Sequence, residues 1–206
     1  MLKIIKQDLF VISINKLNNF LDNEICKTIL NFILLNKNKI GTLNDLGKGE
    51  FRISHFKNKD FSFFKEGDQI INFIDQELKI DLKNKIQEVV DVCAKDFGFN
   101  NLKLLNSWTT IQDKDSVLLR HNHAPCKLSG VLYINVDKEG PPLNFYNPNS
   151  FIDIYDFDFY NYNTFYKFNI IPQIGDLILF PSYLNHDSNN ENNKIENRVA
   201  ISFNMI

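Results

Sequence analysis

The sequence predicts an α+β fold, in which helices pack against one face of a core of short strands. The first hundred residues carry two apolar stripes at helical spacing. After Gly98 the chain divides into short strand-like runs separated by turns rich in Gly, Pro, Asn and Asp. Many short strands joined in this way are typical of a β-sandwich or a jelly roll. The 206 residues suit a single domain (1–206), with a mainly helical buttress over 1–100 and a jelly-roll core over 101–206 that carries the site.

The first half of the chain is predicted to form one strand followed by helices. Residues 9–14 read as the opening strand, and Asp22 is placed to cap the helix that follows. Residues 69–97 continue the helical pattern in two pieces. Between these helices, the mostly polar residues 36–67 predict a long loop or irregular flap, and nothing near its His55 indicates a ligand. The apolar stripes assigned to core packing are Ile25, Ile29, Leu30, Phe32, Ile33, Leu34, Ile70, Ile71, Ile74, Leu78, Leu82, Ile86, Val89, Val90 and Cys93.

The second half carries the predicted β core. Its strands are 102–112, 116–120, 128–136, 142–146, 164–171, 176–180 and 198–204. Residues 149–163 alternate acidic and aromatic side chains, a pattern that fits a strand, a substrate-facing loop or an edge. The same stretch is a candidate interface for a homo-oligomer.

Three of the four histidines of the chain fall beside two of these strands. His121 and His123 are two residues apart, so on an extended chain both imidazoles point to the same face and can converge on one ion. His186 follows another strand-like run far downstream. Imidazole suits iron, zinc, copper and nickel, so the spacing predicts a metal site. Arg198 opens the last strand, and its guanidinium is suited to clamp one end of a dicarboxylate in bidentate fashion.

Simpler interpretations apply to each residue alone. An H-x-H pair occurs easily by chance, and it gains weight here because His186 and Arg198 follow in order. Cys126 completes an H-x-H-x-x-C pattern, but structural zinc needs a second close pair of Cys or His residues. Tyr133 is first of all a lining residue of the core, and Arg120 is expected to be solvated.

Composition and charge exclude several classes of function. A net charge of -2 gives no basic patch for nucleic acid. Three widely spaced cysteines give no disulfide framework and favour a reducing, cytoplasmic location. The apolar run at the N-terminus is too short for a membrane helix and lacks a cleavage site, so neither a membrane nor secretion is expected.

A set of ordered motifs adds to these observations. They are a Trp-bearing strand, H-x-H with a following Pro, S-G-V-x-Y, G-D with F-P-S and a later His, E-x-R, and S-F-N. The residues are Asn106, Ser107, Trp108, His121, His123, Pro125, Ser129, Gly130, Val131, Tyr133, Phe145, Pro148, Gly175, Asp176, Phe180, Pro181, Ser182, His186, Glu196, Arg198, Ser202, Phe203 and Asn204. In these motifs the sequence resembles the 2-oxoglutarate- and iron(II)-dependent oxygenases, specifically a group common in marine bacteria and their phages. The resemblance is close in the C-terminal half and only general in the N-terminal half.

The resemblance implies a double-stranded β-helix that binds Fe(II) and 2-oxoglutarate. The implied reaction uses O2, converts 2-oxoglutarate to succinate and CO2, and hydroxylates a C–H bond of a substrate that the sequence does not identify. By this resemblance His121 and His186 are metal ligands and Arg198 holds the distal carboxylate, with Ser202 a helper. Tyr133 or Asn106 are further candidate contacts to the co-substrate.

The metal set departs from the usual pattern of that family. Such oxygenases usually combine two histidines with a carboxylate, whereas the third position here is His123. Asp187 is expected to point away from the ion, although it could orient an imidazole. Two other hypotheses therefore stay open: a non-catalytic metal-binding jelly roll, and a cupin-like enzyme with three histidines that does not use 2-oxoglutarate.

Overall fold

A seven-stranded antiparallel sheet forms the centre of the fold. The computed structural model describes residues 11–37, 41–42, 47–48, 51–53, 73–75, 80–149, 166–188 and 192–206. The α-helices in these ranges are α1 (Asn23–Leu35) and α2 (Leu82–Cys93), and 3-10 turns cover Phe73–Asp75 and Ala94–Phe97. The strands are β1 (Asn15–Leu17), β2 (Gly41–Thr42), β3 (Gly47–Lys48), β4 (Phe51–Ile53), β5 (Leu104–Gln112), β6 (Val117–Leu118), β7 (Leu128–Asn135), β8 (Leu143–Tyr146), β9 (Lys167–Ile170), β10 (Leu177–Pro181), β11 (His186–Asp187) and β12 (Arg198–Met205).

The strands form two facing sheets. The large sheet has the order β1-β10-β7-β12-β5-β4-β2, and a smaller one has the order β11-β8-β9. A separate pair joins β3 to β6. Side chains from β7, β10 and β12 pack against side chains from β8 and β9, so the inner faces of the two sheets share a core. This arrangement confirms the predicted jelly roll with helices on one outer face.

The alternation of β12 explains why the large sheet has a dry face and a polar face. Its odd-numbered residues belong to the buried apolar core shared with the helices: Val199, Ile201, Phe203 and Met205. Its even-numbered residues line a cavity between the sheets: Arg198, Ala200, Ser202 and Asn204. Successive side chains of a strand point to opposite faces, so one strand both anchors the helices and builds the site.

The two α-helices cover the outer face of the large sheet. Asp22 caps α1, because its carboxylate accepts a hydrogen bond from the backbone N–H of Ile25 at 2.8 Å. Asp81 caps α2 in the same way. The buried residues of the helices are Cys26, Ile29, Ile33, Leu82, Ile86 and Val90. All of them belong to the same core as the odd-numbered residues of β12.

Several element boundaries in the first half differ from the prediction. In the described part of the expected strand 9–14 no strand forms; the strand begins at Asn15, in register with Leu179 of β10. Lys16 fixes this register through an ion pair with the buried Asp176, at 2.9 Å. Within the predicted loop 36–67, β2 and β4 extend the large sheet, because an edge strand needs only backbone pairing and no apolar alternation.

The first piece of the predicted helix 69–97 contains a 3-10 turn, Phe73–Asp75, in its described part. Ile74 donates its backbone N–H to the Ser107 hydroxyl of β5 at 2.9 Å, which ties the turn to the sheet. The predictions on His55 and on most of 149–163 lie outside the described residues. The single domain over 1–206 stays a prediction. Among the described helices, none has both the length and the apolar character needed to cross a membrane.

Candidate metal centre and its cavity

A cavity of about 450 Å³ lies between the two sheets. Its walls come from the inward faces of β5, β7, β10 and β12 and from the loop that begins at His121. The seven residues singled out from the sequence all line it: Asn106, His121, His123, Tyr133, His186, Arg198 and Ser202. The fold therefore brings residues from six separate sequence motifs to one space.

The three histidines form a tight cluster in this cavity. Their ring centroids lie 4.4 Å apart for His121 and His186, and 5.0 Å apart for each of the two pairs that include His123. One ring nitrogen from each residue lies within 4.8 Å of the others. Three nitrogens at this spacing can hold one ion from the same side.

Backbone hydrogen bonds fix the positions of all three. His121 and His186 form an isolated antiparallel bridge, in which each N–H donates to the carbonyl of the other, at 3.0 and 2.9 Å. The N–H of His123 donates to the Ser182 carbonyl at 2.8 Å, in the turn that leads to β11. Each histidine is therefore held by the main chain of the opposite segment.

Two imidazoles are also oriented by the backbone. Nδ1 of His121 lies 2.8 Å from the Leu119 carbonyl, and Nδ1 of His186 lies 2.9 Å from the Leu184 carbonyl. A carbonyl only accepts, so each Nδ1 carries the proton and each Nε2 keeps its lone pair. A metal ligand whose other ring nitrogen is held in this manner has a fixed tautomer and ring plane.

The environment keeps the three imidazoles neutral. Burial lowers the pKa of His186 to about 3, and the neighbouring His121 adds to the effect. Burial holds the pKa of His123 well below its usual range, again with a contribution from the two other imidazoles. Burial also lowers the pKa of His121, although the Leu119 carbonyl and Asp187 oppose the shift. Neutral imidazole is the form that binds a metal, so the donor set fits an ion such as iron(II).

Asp187 does not take the place of the usual carboxylate ligand. Its buried carboxylate accepts hydrogen bonds from the Asn144 amide at 2.7 Å and from the Tyr146 hydroxyl at 2.8 Å. In the part of the chain that the structure describes, the only metal-competent cluster is the set of three histidines. Nδ1 of the neighbouring His186 is held by the Leu184 carbonyl rather than by a carboxylate.

Arg120 is exposed, as expected, but its side chain also contacts the protein. Its guanidinium carbon lies 3.4 Å from the ring centroid of Tyr146, and its Nε lies 3.8 Å from the Asp187 carboxylate. A guanidinium stacks well on an aromatic face, which explains why this half-exposed side chain folds back onto the protein.

Arg198 is a buried cation at the far end of the cavity. It is 3% exposed, its Nη1 donates to the Pro141 carbonyl at 2.9 Å, and its guanidinium carbon lies 5.6 Å from the Tyr133 ring centroid. Within the described ranges no acidic side chain forms an ion pair with it. Burial lowers its pKa, but a guanidinium stays charged in proteins. A buried charge without a partner anion is costly, so this end of the cavity is suited to an anionic ligand.

The register between β5 and β12 sets the order of residues along the cavity. Gln112 lies opposite Arg198, Trp108 opposite Ser202, and Asn106 opposite Asn204. The Trp108 ring lies 5.4 Å from that of His123, so the metal cluster is near the Ser202 level. Ser202 is four residues from Arg198, or roughly 13 Å along the strand, and Asn106 is roughly 20 Å from Gln112 by the same rise per residue.

Asn106 belongs to a chain of polar side chains at the histidine end. Its carbonyl oxygen accepts from the Asn204 amide at 3.0 Å, and Asn204 in turn accepts from the Ser129 hydroxyl at 2.8 Å. Ser129 also shares a hydrogen bond of 2.7 Å with Ser182. The structure therefore places Asn106 apart from Arg198, although both line the same cavity.

Gln112 is a cavity residue that none of the sequence motifs indicated. It is 6% exposed, and its Nε2 is a buried donor without a hydrogen-bond partner among the described residues. The sequence could have indicated it, because Gln112 is an even number of residues from Asn106 and Trp108 on the same strand and so points to the same face. Cys126, which the sequence placed only in an H-x-H-x-x-C pattern, also lines the cavity.

A comparison with family models supports the same assignment. The model of the family described as "Putative 2OG-Fe(II) oxygenase" matches residues 106–204, just under half of the chain. The matched span runs from β5 to β12 and includes every cavity residue discussed above. No curated protein sequence matches the chain significantly.

Solved structures with the same fold include several 2-oxoglutarate oxygenases. A Trichoplax adhaerens prolyl hydroxylase, in complex with a hypoxia inducible factor oxygen degradation domain peptide fragment, has a TM-score of 0.63 at 15% identity, covering 94% of this chain and 83% of that one. A Pseudomonas putida prolyl-4-hydroxylase has a TM-score of 0.60 at 11% identity, covering 94% and 92%. HygX from Streptomyces hygroscopicus, with nickel and 2-oxoglutarate bound, has a TM-score of 0.56 at 11% identity, covering 94% and 82%. At these identities the similarity concerns the fold.

The fold and the site together define a jelly-roll protein whose cavity joins a three-histidine cluster to a buried arginine. The family match over residues 106–204 supports the superfamily of 2-oxoglutarate- and iron(II)-dependent oxygenases that the sequence motifs predict, and the structural neighbours share the fold. Fe(II) and 2-oxoglutarate are the cofactors that this match implies, and the three histidines fit the metal.

Proposed function

We propose that this chain is an active iron(II)- and 2-oxoglutarate-dependent dioxygenase that hydroxylates a C–H bond of a second substrate. The observation that carries the proposal is the presence in one cavity of a neutral three-imidazole cluster and a buried arginine without an acidic partner in the described ranges. The first fits a divalent metal and the second fits a carboxylate. A small diacid that contacts both would occupy the space between them.

Each residue has a separate role in this proposal. His121, His123 and His186 hold Fe(II) through the nitrogens that face one another. Arg198 binds the distal carboxylate of 2-oxoglutarate, and the Tyr133 ring beneath the guanidinium keeps it in place. Ser202 lies between the two ends and is a candidate contact to the bound co-substrate. When bound, the iron and 2-oxoglutarate supply the oxidising chemistry, in which O2 is consumed and succinate and CO2 are released.

Asn106 has a different proposed role from that of Arg198. Its amide is part of the polar chain at the histidine end, so it is suited to contact the metal-proximal end of the co-substrate or the primary substrate. The Trp108 ring offers an apolar wall at the same level. We assign the entry of the primary substrate to this end of the cavity.

The replacement of a carboxylate ligand by His123 changes the charge of the site. Three neutral imidazoles leave both positive charges of Fe(II) uncompensated. A dianionic co-substrate would then compensate one of these charges with its metal-proximal carboxylate and pair its other carboxylate with Arg198. The replacement of the carboxylate ligand by His123 thus favours binding of an anionic co-substrate rather than loss of the metal.

The three-histidine cluster also suits a cupin-like enzyme that does not use 2-oxoglutarate. In that alternative Arg198 has no part in the reaction, and Arg198→Ala would leave activity nearly intact. A non-catalytic metal-binding jelly roll would bind the metal without affinity for 2-oxoglutarate. The burial of Arg198 inside the cavity favours the dioxygenase over both alternatives.

The free thiols of the chain bear on its location. Cys26, Cys93 and Cys126 are all unpaired. Unpaired cysteines are typical of reducing compartments, which supports the further proposal of a cytoplasmic enzyme.

The test is an anaerobic titration of the iron(II)-loaded protein with 2-oxoglutarate, followed by the weak visible charge-transfer band of the chelate. The wild type should develop the band, His186→Ala should lose it, and Arg198→Ala should need far more co-substrate. Arg198→Lys, which keeps the charge but not the planar fork, should fall between the wild type and Arg198→Ala. Iron binding without any band would overturn the proposed function in favour of one of the two alternatives.

A further inference from the structure

Gln112 is the cross-strand neighbour of Arg198 on the cavity face of the large sheet. It is the last residue of β5, and the two residues are paired in the β5–β12 register. Directly opposed residues of an antiparallel pair have Cβ atoms about 4.5–5.5 Å apart. The amide of Gln112 and the guanidinium of Arg198 therefore lie at the same end of the cavity.

The Gln112 amide has a donor that the described part of the protein leaves unused. The residue is only 6% exposed, and its Nε2 is buried without a hydrogen-bond partner. Such a group costs free energy in the folded protein, so a partner from a ligand would remove a penalty as well as add a bond.

The position of Gln112 is fixed by the backbone around it. Its carbonyl accepts a hydrogen bond from the buried Asn193 amide at 3.1 Å, in addition to the ladder with β12. A side chain on a rigid strand end is a better determinant of ligand geometry than one on a loop. Gln112 therefore lines the cavity from a fixed backbone position.

The two side chains complement a carboxylate. Arg198 donates to the Pro141 carbonyl and also interacts with the Tyr133 hydroxyl, but a guanidinium has five N–H donors, so further donors remain for a ligand. A carboxylate has two oxygens with about four lone-pair sites, so it can accept from a guanidinium and from an amide at once. Asp or Glu side chains that would compete for the guanidinium do not pair with it in the described ranges.

We propose that Gln112 is a second donor to the distal carboxylate of the co-substrate and makes the cavity selective for 2-oxo diacids over 2-oxo monoacids. This inference rests on the proposed function. Arg198 supplies the charge, and Gln112 fixes the second oxygen and so the position of the carboxylate. An acid that ends in a methyl group at this place would leave both donors unpaired.

The test uses two ligands that differ only at the distal end: 2-oxoglutarate and 2-oxopentanoate, which carries a methyl group in place of the distal carboxylate. Both are titrated anaerobically into the iron(II)-loaded protein. Gln112→Leu removes the donor, Gln112→Glu places a negative charge opposite the ligand, and Gln87→Leu is the matched substitution on α2 outside the cavity.

Gln112→Leu should raise the Kd for 2-oxoglutarate about tenfold or more, the effect of one hydrogen bond to a charged group. Gln112→Glu should raise that Kd further, and Gln87→Leu should leave it unchanged. The Kd for 2-oxopentanoate should be the same in the wild type and in Gln112→Leu. Gln112→Asn, which shortens the side chain by one methylene, serves if the leucine variant does not fold.

Each result has one meaning. Wild-type affinity for 2-oxoglutarate in Gln112→Leu would overturn the role of Gln112 while leaving the proposed function intact. An equal loss of affinity for both ligands would also overturn it, because the effect would then not arise at the distal carboxylate. Failure of the wild type itself to bind 2-oxoglutarate would instead refute the proposed function.

Discussion

His121 and His186 exchange two backbone hydrogen bonds, at 3.0 and 2.9 Å, and each directs Nδ1 to the carbonyl two residues earlier in its own segment. The same local geometry thus occurs twice, once on each side of an antiparallel bridge. It presents two lone pairs toward one point without help from a metal. The cost of ordering these ligands is met in folding, which favours tight binding of the ion.

His123, the third ligand, is held by a hydrogen bond to the Ser182 carbonyl instead of the bridge. Its role as a metal ligand can be tested by substitution. His123→Ala should weaken Fe(II) binding by at least about tenfold, since even changes to residues around a metal's ligands cost 10–100-fold. His123→Asp should retain the ion and restore the usual ligand combination. Competition with a coloured chelator under anaerobic conditions measures both affinities. His55→Ala, the same change at the remaining histidine, is the control, and Fe(II) affinity in His123→Ala equal to the wild type would remove His123 from the metal set.

Gly130 is required by the ring of Phe203, its partner in the β7–β12 ladder. A Cβ at Gly130 would fall on that ring, which is itself fully buried. Gly130→Ala should therefore destabilise the protein by about 1–3 kcal/mol, the usual cost of overpacking a core. Chemical denaturation measures the change. The double variant with Phe203→Leu should recover part of the loss, and strictly additive effects of the two substitutions would contradict the contact.

The fold of the second half could be predicted because its signals are local. Strands such as Leu128–Asn135 and Arg198–Met205 begin at their predicted residues, since turn sequences bound them and apolar residues fill both faces. The strands β2 and β4 carry no such pattern. They join the edge of the sheet through backbone pairing, β4 with β5 and β2 with β4, which depends on a surface that only the folded chain provides.

The sequence could predict which residues form the site, but it predicted less well how they are arranged. The spacing of His121 and His123 indicates a shared face, but the bridge between His121 and His186 is a contact between distant segments. Asn106 and Arg198 were both candidate co-substrate contacts because a motif does not report position along a strand. The register of β5 on β12 separates them and brings Gln112 to Arg198 instead.

Ser129 joins three sequence motifs through its hydroxyl group. It donates to the Asn204 carbonyl oxygen and shares a second bond with Ser182, while Asn204 donates to Asn106. Ser129→Ala leaves buried partners unsatisfied, so the free energy of unfolding should fall by about 1–3 kcal/mol. Denaturant titration measures it, with Thr28→Ala on the exposed side of α1 as a control that also loses one hydrogen bond. A cost no larger than that of Thr28→Ala would show that the chain of hydrogen bonds contributes nothing beyond an exposed bond.

Cys26 and Cys126 should differ sharply in reactivity, because they lie in different surroundings. Burial in the core beneath α1, aided by the Asp22 carboxylate, raises the pKa of Cys26 to about 11, so at pH 8 the reactive thiolate is scarce. Burial also raises the pKa of Cys126, but this half-buried thiol lines the open cavity. In the native protein iodoacetamide should therefore modify Cys26 at least about tenfold more slowly than Cys126, as thiolate fraction and access both favour the latter. Mass spectrometry of the digested protein measures the two rates, and in concentrated urea they should converge. Equal rates in the native protein would contradict the placement of Cys26 in the core.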